Sequence, residues 1–143
     1  MQTDIARISN AIKTNKFSAN QVLKEAFTKA KAYNSAVHLI GLMSDGNVHS
    51  SPENLFSLLR MAKNEGVKDV FVHPILDGRD VAPRTADIYV EALEIKMADI
   101  GIGRIATLCG RYYAMDKDKN WEHTARARRY RTDAARHFGH SKT

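Results

Sequence analysis

AVHLIGLM, residues 36–43, is an uncharged, mostly apolar run set between Asn34-Ser35 and Ser44-Asp45-Gly46. It is too short for a buried helix, and it fits a strand covered on both faces. Two further runs read the same way: DVFVHPIL at 69–76 and IGRIATLC at 102–109. A helix lies between each pair. In the first, Ser51 is placed to cap and Pro52 suits the opening position. Leu55, Leu58, Leu59 and Ala62 give that helix its buried stripe, and Gly66 stops it. The second runs from Arg84 to Ile100, with Ile88, Ala92, Leu93 and Ile95 expected inward and Gly101 as its stop. Strand–helix–strand–helix–strand with short connections implies a parallel sheet. The expected fold is therefore α/β, a three-layer β-α-β-α-β core.

Two helices precede this core. Thr3 to Lys16 carries Ile5, Ile8 and Ile12 at helical spacing. The next runs from Asn20 or Gln21 to Tyr33, with Asn20 as candidate cap and Val22, Leu23, Ala26, Phe27 and Ala30 as its stripe. A last helix spans Asp118 to about Arg129.

The chain has 143 residues, 43% of them hydrophobic and 27% charged, which suits one ordinary domain. No run approaches the roughly 20 apolar residues of a membrane span, and Met1 to Asn10 lacks the apolar centre of a secretory signal. The single cysteine, Cys109, excludes an internal disulfide. A cytoplasmic protein is expected. The net charge of +6 is uneven: residues 1–103 are neutral, and residues 104–143 carry the whole excess.

In an open parallel sheet, ligands bind beyond the carboxyl ends of the strands. Strand one is followed by Ser44 to Ser51, strand two by Asp77-Gly78-Arg79-Asp80, and strand three by Gly110-Arg111-Tyr112-Tyr113-Ala114-Met115-Asp116-Lys117-Asp118. Each loop holds a glycine, a carboxylate, and a histidine or arginine. A lone Asp-Gly-Arg-Asp is usually a solvated turn. Three such loops at three successive strand ends weaken that reading. Arg79, Arg111 and Lys117 could hold an anionic group, a guanidinium matching carboxylate or phosphate with two donors. His49 and Asp80 could move protons or orient hydroxyls. These residues point to a small, multiply anionic ligand such as a phosphorylated hydroxy acid, and leave the reaction open.

Other features read as structure. His38 and His73 sit within apolar runs as satisfied core histidines. Cys109 reads as a small core residue, Asp45 as a cap, and Tyr112 and Tyr113 as packing groups. Gly101-Ile102-Gly103-Arg104-Ile105-Ala106 matches a dinucleotide-binding pattern, but it follows a helix and opens a strand, the reverse of what that motif requires. No metal-ligand spacing is evident, His137 and His140 included.

LIGLMSDGNVHS, VHPILDGRDVAPRTA and GRYYAMDKDKNWE, in that order, resemble transferase-domain segments of cofactor-independent (2,3-bisphosphoglycerate-independent) phosphoglycerate mutases. DIARISNAIKTNKFSANQVLKEAF resembles the run into that domain. The likeness covers residues 3–125 and implies an incomplete transferase domain of an alkaline-phosphatase-like mutase family. After about Ala127 it fails, leaving residues 126–143 as a divergent basic tail.

The resemblance implies interconversion of 3-phosphoglycerate and 2-phosphoglycerate in glycolysis. In that family a serine in a separate phosphatase domain takes up the phosphate, activated by two Mn2+ (or Mg2+) ions. No such serine or metal cluster is found in this sequence, so no cofactor is expected in the chain and its activity alone is doubtful. The family's substrate-binding histidine falls on His49, its Arg-Asp pair on Arg79 and Asp80, and its Gly-Arg-Tyr-Tyr arginine on Arg111. Asp80 and His49 would be catalytic. The family's next arginine is Lys117 here, which keeps the charge and loses the fork. Its usual Asp-Gly-Gly is Asp45-Gly46-Asn47. Rival readings are a non-catalytic module for phosphorylated acids and, less favoured, nucleic-acid binding through Arg126, Arg128, Arg129, Arg131 and Arg136. No membrane partner is expected. An uncovered sheet edge allows self-association.

Overall fold

The computed structural model describes residues 19–138. The expected helix at Thr3 to Lys16 lies outside that range. The described chain runs α1 (Ala19–Ala32), β1 (Val37–Met43), α2 (Pro52–Asn64), β2 (Val70–Leu76), α3 (Ala86–Ile100), β3 (Arg104–Ile105), β4 (Cys109–Gly110), α4 (Arg111–Ala114) and α5 (Trp121–Phe138). The sheet is parallel. β1 lies beside β2 in unbroken register from Val37 opposite Val70 to Met43 opposite Leu76. β3 and β4 lie along the other side of β2.

The expected third strand is therefore broken in two, and Pro74 supplies a reason. The Ala106 N–H donates to Val72 O at 2.8 Å, so Val72 turns its backbone groups toward the third strand. By the alternation of a strand, Pro74 turns the same way and has no N–H to offer. The ladder lapses beyond Ala106 and resumes where Cys109 and Gly110 meet Ile75 and Leu76. Thr107, in the gap, is held instead by His73, whose Nδ1 lies 2.7 Å from the Thr107 hydroxyl. The other His73 nitrogen lies 2.9 Å from His38 Nδ1, so a hydrogen-bonded line crosses all three strand positions. Both histidines are satisfied, as their apolar settings suggested, and burial lowers the pKa of His38.

The core gathers Met43, Val70 and Val72 from the sheet, Phe56, Leu59 and Ala62 from α2, and Leu93, Met97 and Ile100 from α3. Both crossover helices thus cover one face. On the opposite face Phe71 and His73 are also buried, while Ile40 is exposed.

The glycine stops behave as read. Gly66 and Gly101 take left-handed φ of 79° and 83° after their helices. Gly103 also has positive φ, and a Cβ there would meet Met97 Sδ at 3.0 Å, so this glycine serves close packing. Five expectations are corrected. Ser51 occupies the N-cap position of α2, but its hydroxyl makes no capping bond. Asn20 lies inside α1 rather than capping it. α3 begins at Ala86 because Arg84 adopts a left-handed φ of 62° that no α-helix accepts. Of the residues of α3 expected inward, Leu93 is buried, together with Met97 and Ile100, whereas Ala92 is exposed and Ile88 and Ile95 are about 60% exposed. Cys109 is partly buried rather than a core residue. α5 passes position 126 without interruption, and Ala127 is buried. Among the described residues no helix is long and apolar enough to cross a membrane.

Candidate anion-binding site

The three strand-end loops meet, and the residue that joins them is Asp77. It follows the last residue of β2, and its side chain is 1% exposed. Its Oδ1 accepts the backbone N–H groups of Gly78, Arg79 and Asp80 at 2.8, 3.0 and 3.1 Å, folding the loop after β2 around one oxygen. The same oxygen accepts from Arg111 Nη1 at 2.9 Å, which draws in the third loop. Its Oδ2 accepts from the buried Ser44 hydroxyl at 2.5 Å, which fastens the end of β1. Burial alone would raise the Asp77 pKa. The bonds from Ser44, the Arg79 N–H, Arg111 and the Asp80 N–H outweigh it and hold the carboxyl well below the usual carboxylate range.

Arg111 is the second hub. Its Nη1 also donates to Asp80 Oδ2 at 2.8 Å, and its Nη2 lies 3.4 Å from His49 Nε2. Asp80, then Asp77, raise the pKa of the guanidinium. His49 Nε2 stands 3.8 Å from Asp80 Oδ2. His49, Asp80 and Arg111, expected together from three different loops, are thus brought into one cluster.

The other two expected residues are not in it. The Arg79 side chain is exposed and enters no contact with this network among the described residues, although its backbone N–H does. Lys117 is exposed and likewise makes no contact with the network. Its neighbour Asp116 instead accepts from the Asn120 N–H and side-chain amide at 2.9 and 3.0 Å, and those bonds lower its pKa. Tyr112 and Tyr113 pack edge-on to each other, and Arg126 stacks over Tyr113 at 4.9 Å.

The first loop is held close. A Cβ on Gly46 would stand 2.9 Å from Asp80 Cβ, so only glycine fits there without displacement. Asn47 has φ of 55°, a conformation that glycine takes freely and asparagine tolerates. That accounts for asparagine replacing the second glycine of the expected Asp-Gly-Gly. Asp45 is no simple cap: its Oδ1 accepts from the Tyr89 hydroxyl at 2.6 Å, tying the loop to α3 and raising the tyrosine's pKa.

Ser44, Asp77 and Tyr89 were not singled out from sequence as site residues. One signal was available for two of them: each is the first polar residue after an apolar strand, and Asp-Gly opens a turn in which the carboxylate gathers the following N–H groups.

The model of the family described as BPG-independent PGAM N-terminus matches residues 8–142. The chain belongs to this family. A 2,3-bisphosphoglycerate-independent phosphoglycerate mutase of Listeria innocua is 50% identical over 123 residues, covering 86% of this chain and 24% of that relative. The Methylobacillus flagellatus protein of the same name is 48% identical over 135 residues, 94% of this chain and 26% of the relative. In structure, a Leishmania mexicana phosphoglycerate mutase solved at low cobalt concentration superposes with a TM-score of 0.70 at 33% identity. That match covers 85% of this chain and 23% of the other. The BPG-independent PGAM N-terminus chain described here thus spans about a quarter of the length of the relatives it matches.

A two-metal centre does not fit the cluster. Among the described residues no group of three or more His, Cys, Asp or Glu side chains is arranged to hold a metal, and Asp77 and Asp80 are both engaged by Arg111.

Proposed function

We propose that this chain supplies part of the phosphoglycerate-holding site of a 2,3-bisphosphoglycerate-independent phosphoglycerate mutase, interconverting 3-phosphoglycerate and 2-phosphoglycerate within glycolysis. The observation that carries the reading is Arg111, delivered by the third loop to Asp77 and Asp80 with His49 alongside. Arg111 anchors the ligand's carboxylate or phosphate. Asp80 and His49 face the glycerate hydroxyls, where a carboxylate and an imidazole can accept and return a proton. Arg79 and Lys117, both exposed, close on the ligand from outside. Residues 3–125 carry this role, and residues 126–143 are a basic extension. The phosphoryl-accepting serine and the divalent metals, manganese or magnesium, belong to a separate phosphatase domain. The purified chain therefore binds phosphoglycerate and does not turn it over.

Names of the relatives, the family match and the agreement in fold support this reading. Calorimetric titration with 3-phosphoglycerate tests it, with Arg111→Ala as the control. Binding that the substitution abolishes supports the site. Absence of binding by a folded chain overturns it. Metal-dependent turnover by the pure chain would overturn the division of labour.

Self-association through β1 is part of the same proposal. Ile40 is 55% exposed, and β1 pairs only with β2 among the described residues. Its Leu42 carbonyl is occupied by the Ser50 hydroxyl, so the open part of the edge lies nearer His38 and Ile40.

A further inference from the structure

α3 is apolar on two sides. Leu93, Met97 and Ile100 are buried in the core, while Ile88 and Ile95, with the exposed Ala92 between them, line the outer side. A helix that is apolar all round is one that other surfaces cover. Beside the outer line runs a second row at the same helical spacing, Asp87, Glu91 and Glu94, all exposed. Like charges at that spacing destabilise a helix when nothing faces them. Among the described residues no ion pair engages any of the three. Lys96, the one basic residue of α3, lies over the Phe56 ring at 5.7 Å.

The charge pattern narrows what can lie on this face. An antiparallel second copy of α3 would set one carboxylate row against the other, and a parallel one would bring only Lys96 to meet it. The occupant must carry an apolar anchor and basic residues at helical spacing. α5 has both. Trp121 is 72% exposed, and the exposed Arg128 and Arg129 lie two turns further along the side turned away from the buried Ala127. The charges also match: residues 1–103 are neutral, and residues 104–143 carry the whole +6 excess. Within one chain α5 packs chiefly on α4, so its outer side is left to meet another molecule.

We infer that the outer face of α3 is a docking surface for α5 of a second copy of this chain. Trp121 of the second copy covers Ile88 and Ile95, and Arg129 of the second copy meets the row of Asp87, Glu91 and Glu94. Apolar burial supplies the attraction, and the opposed charges fix the register and exclude the wrong pairing. The two surfaces differ, so each copy offers both, and the contact either closes on itself or repeats. It differs from pairing through the β1 edge, which is made by backbone hydrogen bonds, in depending on charges that salt screens.

Sedimentation of the full chain tests this. Association is expected at about 0.01 M salt and should weaken about tenfold or more toward about 1 M, where screening is nearly complete. Glu91→Lys spoils the α3 face and Arg129→Glu spoils α5, and each should weaken association about tenfold or more. An equimolar mixture of the two variants should associate again, because one keeps an intact α5 and the other an intact α3. Ile95→Ser and Trp121→Ser replace exposed residues and carry the same expectations if a charge reversal disturbs the fold, which circular dichroism checks. The salt-sensitive association should survive Ile40→Lys. A parent chain that stays monomeric at low salt up to about 1 mM would overturn the inference. So would association that Ile40→Lys alone removes, which would leave β1 as the contact. Association that Glu91→Lys strengthens and Arg129→Glu leaves unchanged would mean that α3 pairs with α3, and a mixture of variants that stays apart would also overturn the docking of α5.

Discussion

Removal of the Asp77 carboxylate is expected to loosen all three strand-end loops at once. Asp77→Ala takes away five acceptor contacts. Two go to groups that cannot turn to solvent freely: the Ser44 hydroxyl, on a residue 1% exposed, and the Arg111 guanidinium. Hydrogen bonds to a charged group contribute about 1.5–3 kcal/mol each, and ordinary ones about 1. The cost of burying the Asp77 charge is recovered when the charge is removed, so the net loss falls in the range found for breaking a buried pair, about 3–5 kcal/mol. Asp77→Asn keeps Oδ1 as a neutral acceptor and should lose only about 1–2 kcal/mol. Urea denaturation at pH 7 measures both, and the midpoints should fall in the order parent, Asn, Ala. The pH arm has a definite sign. The folded-state pKa of Asp77 is depressed below the roughly 3.9 of an unfolded chain, so its stabilisation is fully present above that pH and is lost as pH falls toward the folded value. The parent should therefore lose stability below about pH 4 more steeply than Asp77→Asn. A loss under about 1 kcal/mol for Asp77→Ala, or parallel acid profiles for the parent and the asparagine variant, would refute the hub.

Leu93→Ala should cost about 2–5 kcal/mol, since Leu93 is 0% exposed, while Ile95→Ala should stay within about 0.5, a contrast that thermal denaturation resolves. At Asn47, with φ of 55°, substitution by glycine should be nearly neutral and substitution by valine should cost about 1–2 kcal/mol, measured by chemical unfolding. Ile40→Lys places a charge on the open edge of β1 and should shift any dimer toward monomer in sedimentation analysis, with the fold unchanged by circular dichroism.

The sequence was most legible where structure is local. The apolar runs of β1 and β2, the glycine stops at Gly66 and Gly101, and the rejection of Gly101–Ala106 as a nucleotide loop depend on neighbours within a few residues. The break between β3 and β4 was not legible, because its cause, Pro74, lies on a different strand. The buried face of α3 was misjudged because the helix is apolar on two stripes, and only packing against α2 decides between Leu93 and Ile95. At the site, His49, Asp80 and Arg111 could be gathered by the rule that ligands meet strand ends. Asp77 could not be ranked above Asp80 in one short motif, since its status comes from Ser44 and Arg111, 33 and 34 residues away. Arg79 and Lys117 were chosen for their charge, which says nothing of where a long side chain comes to rest.

The line from His38 through His73 to Thr107 has a direction. With both rings neutral, one proton sits between His38 Nδ1 and His73 Nε2. If His73 gives it, the other His73 nitrogen is bare and the Thr107 hydroxyl must point inward. If His38 gives it, the His73 proton can move to Nδ1 and the hydroxyl must point outward. The tautomer of the central ring is thus chosen jointly by β1 and by the gap in the third strand. A replacement at His38 that can only give, or only take, a proton would set which way the Thr107 hydroxyl turns, two strands away.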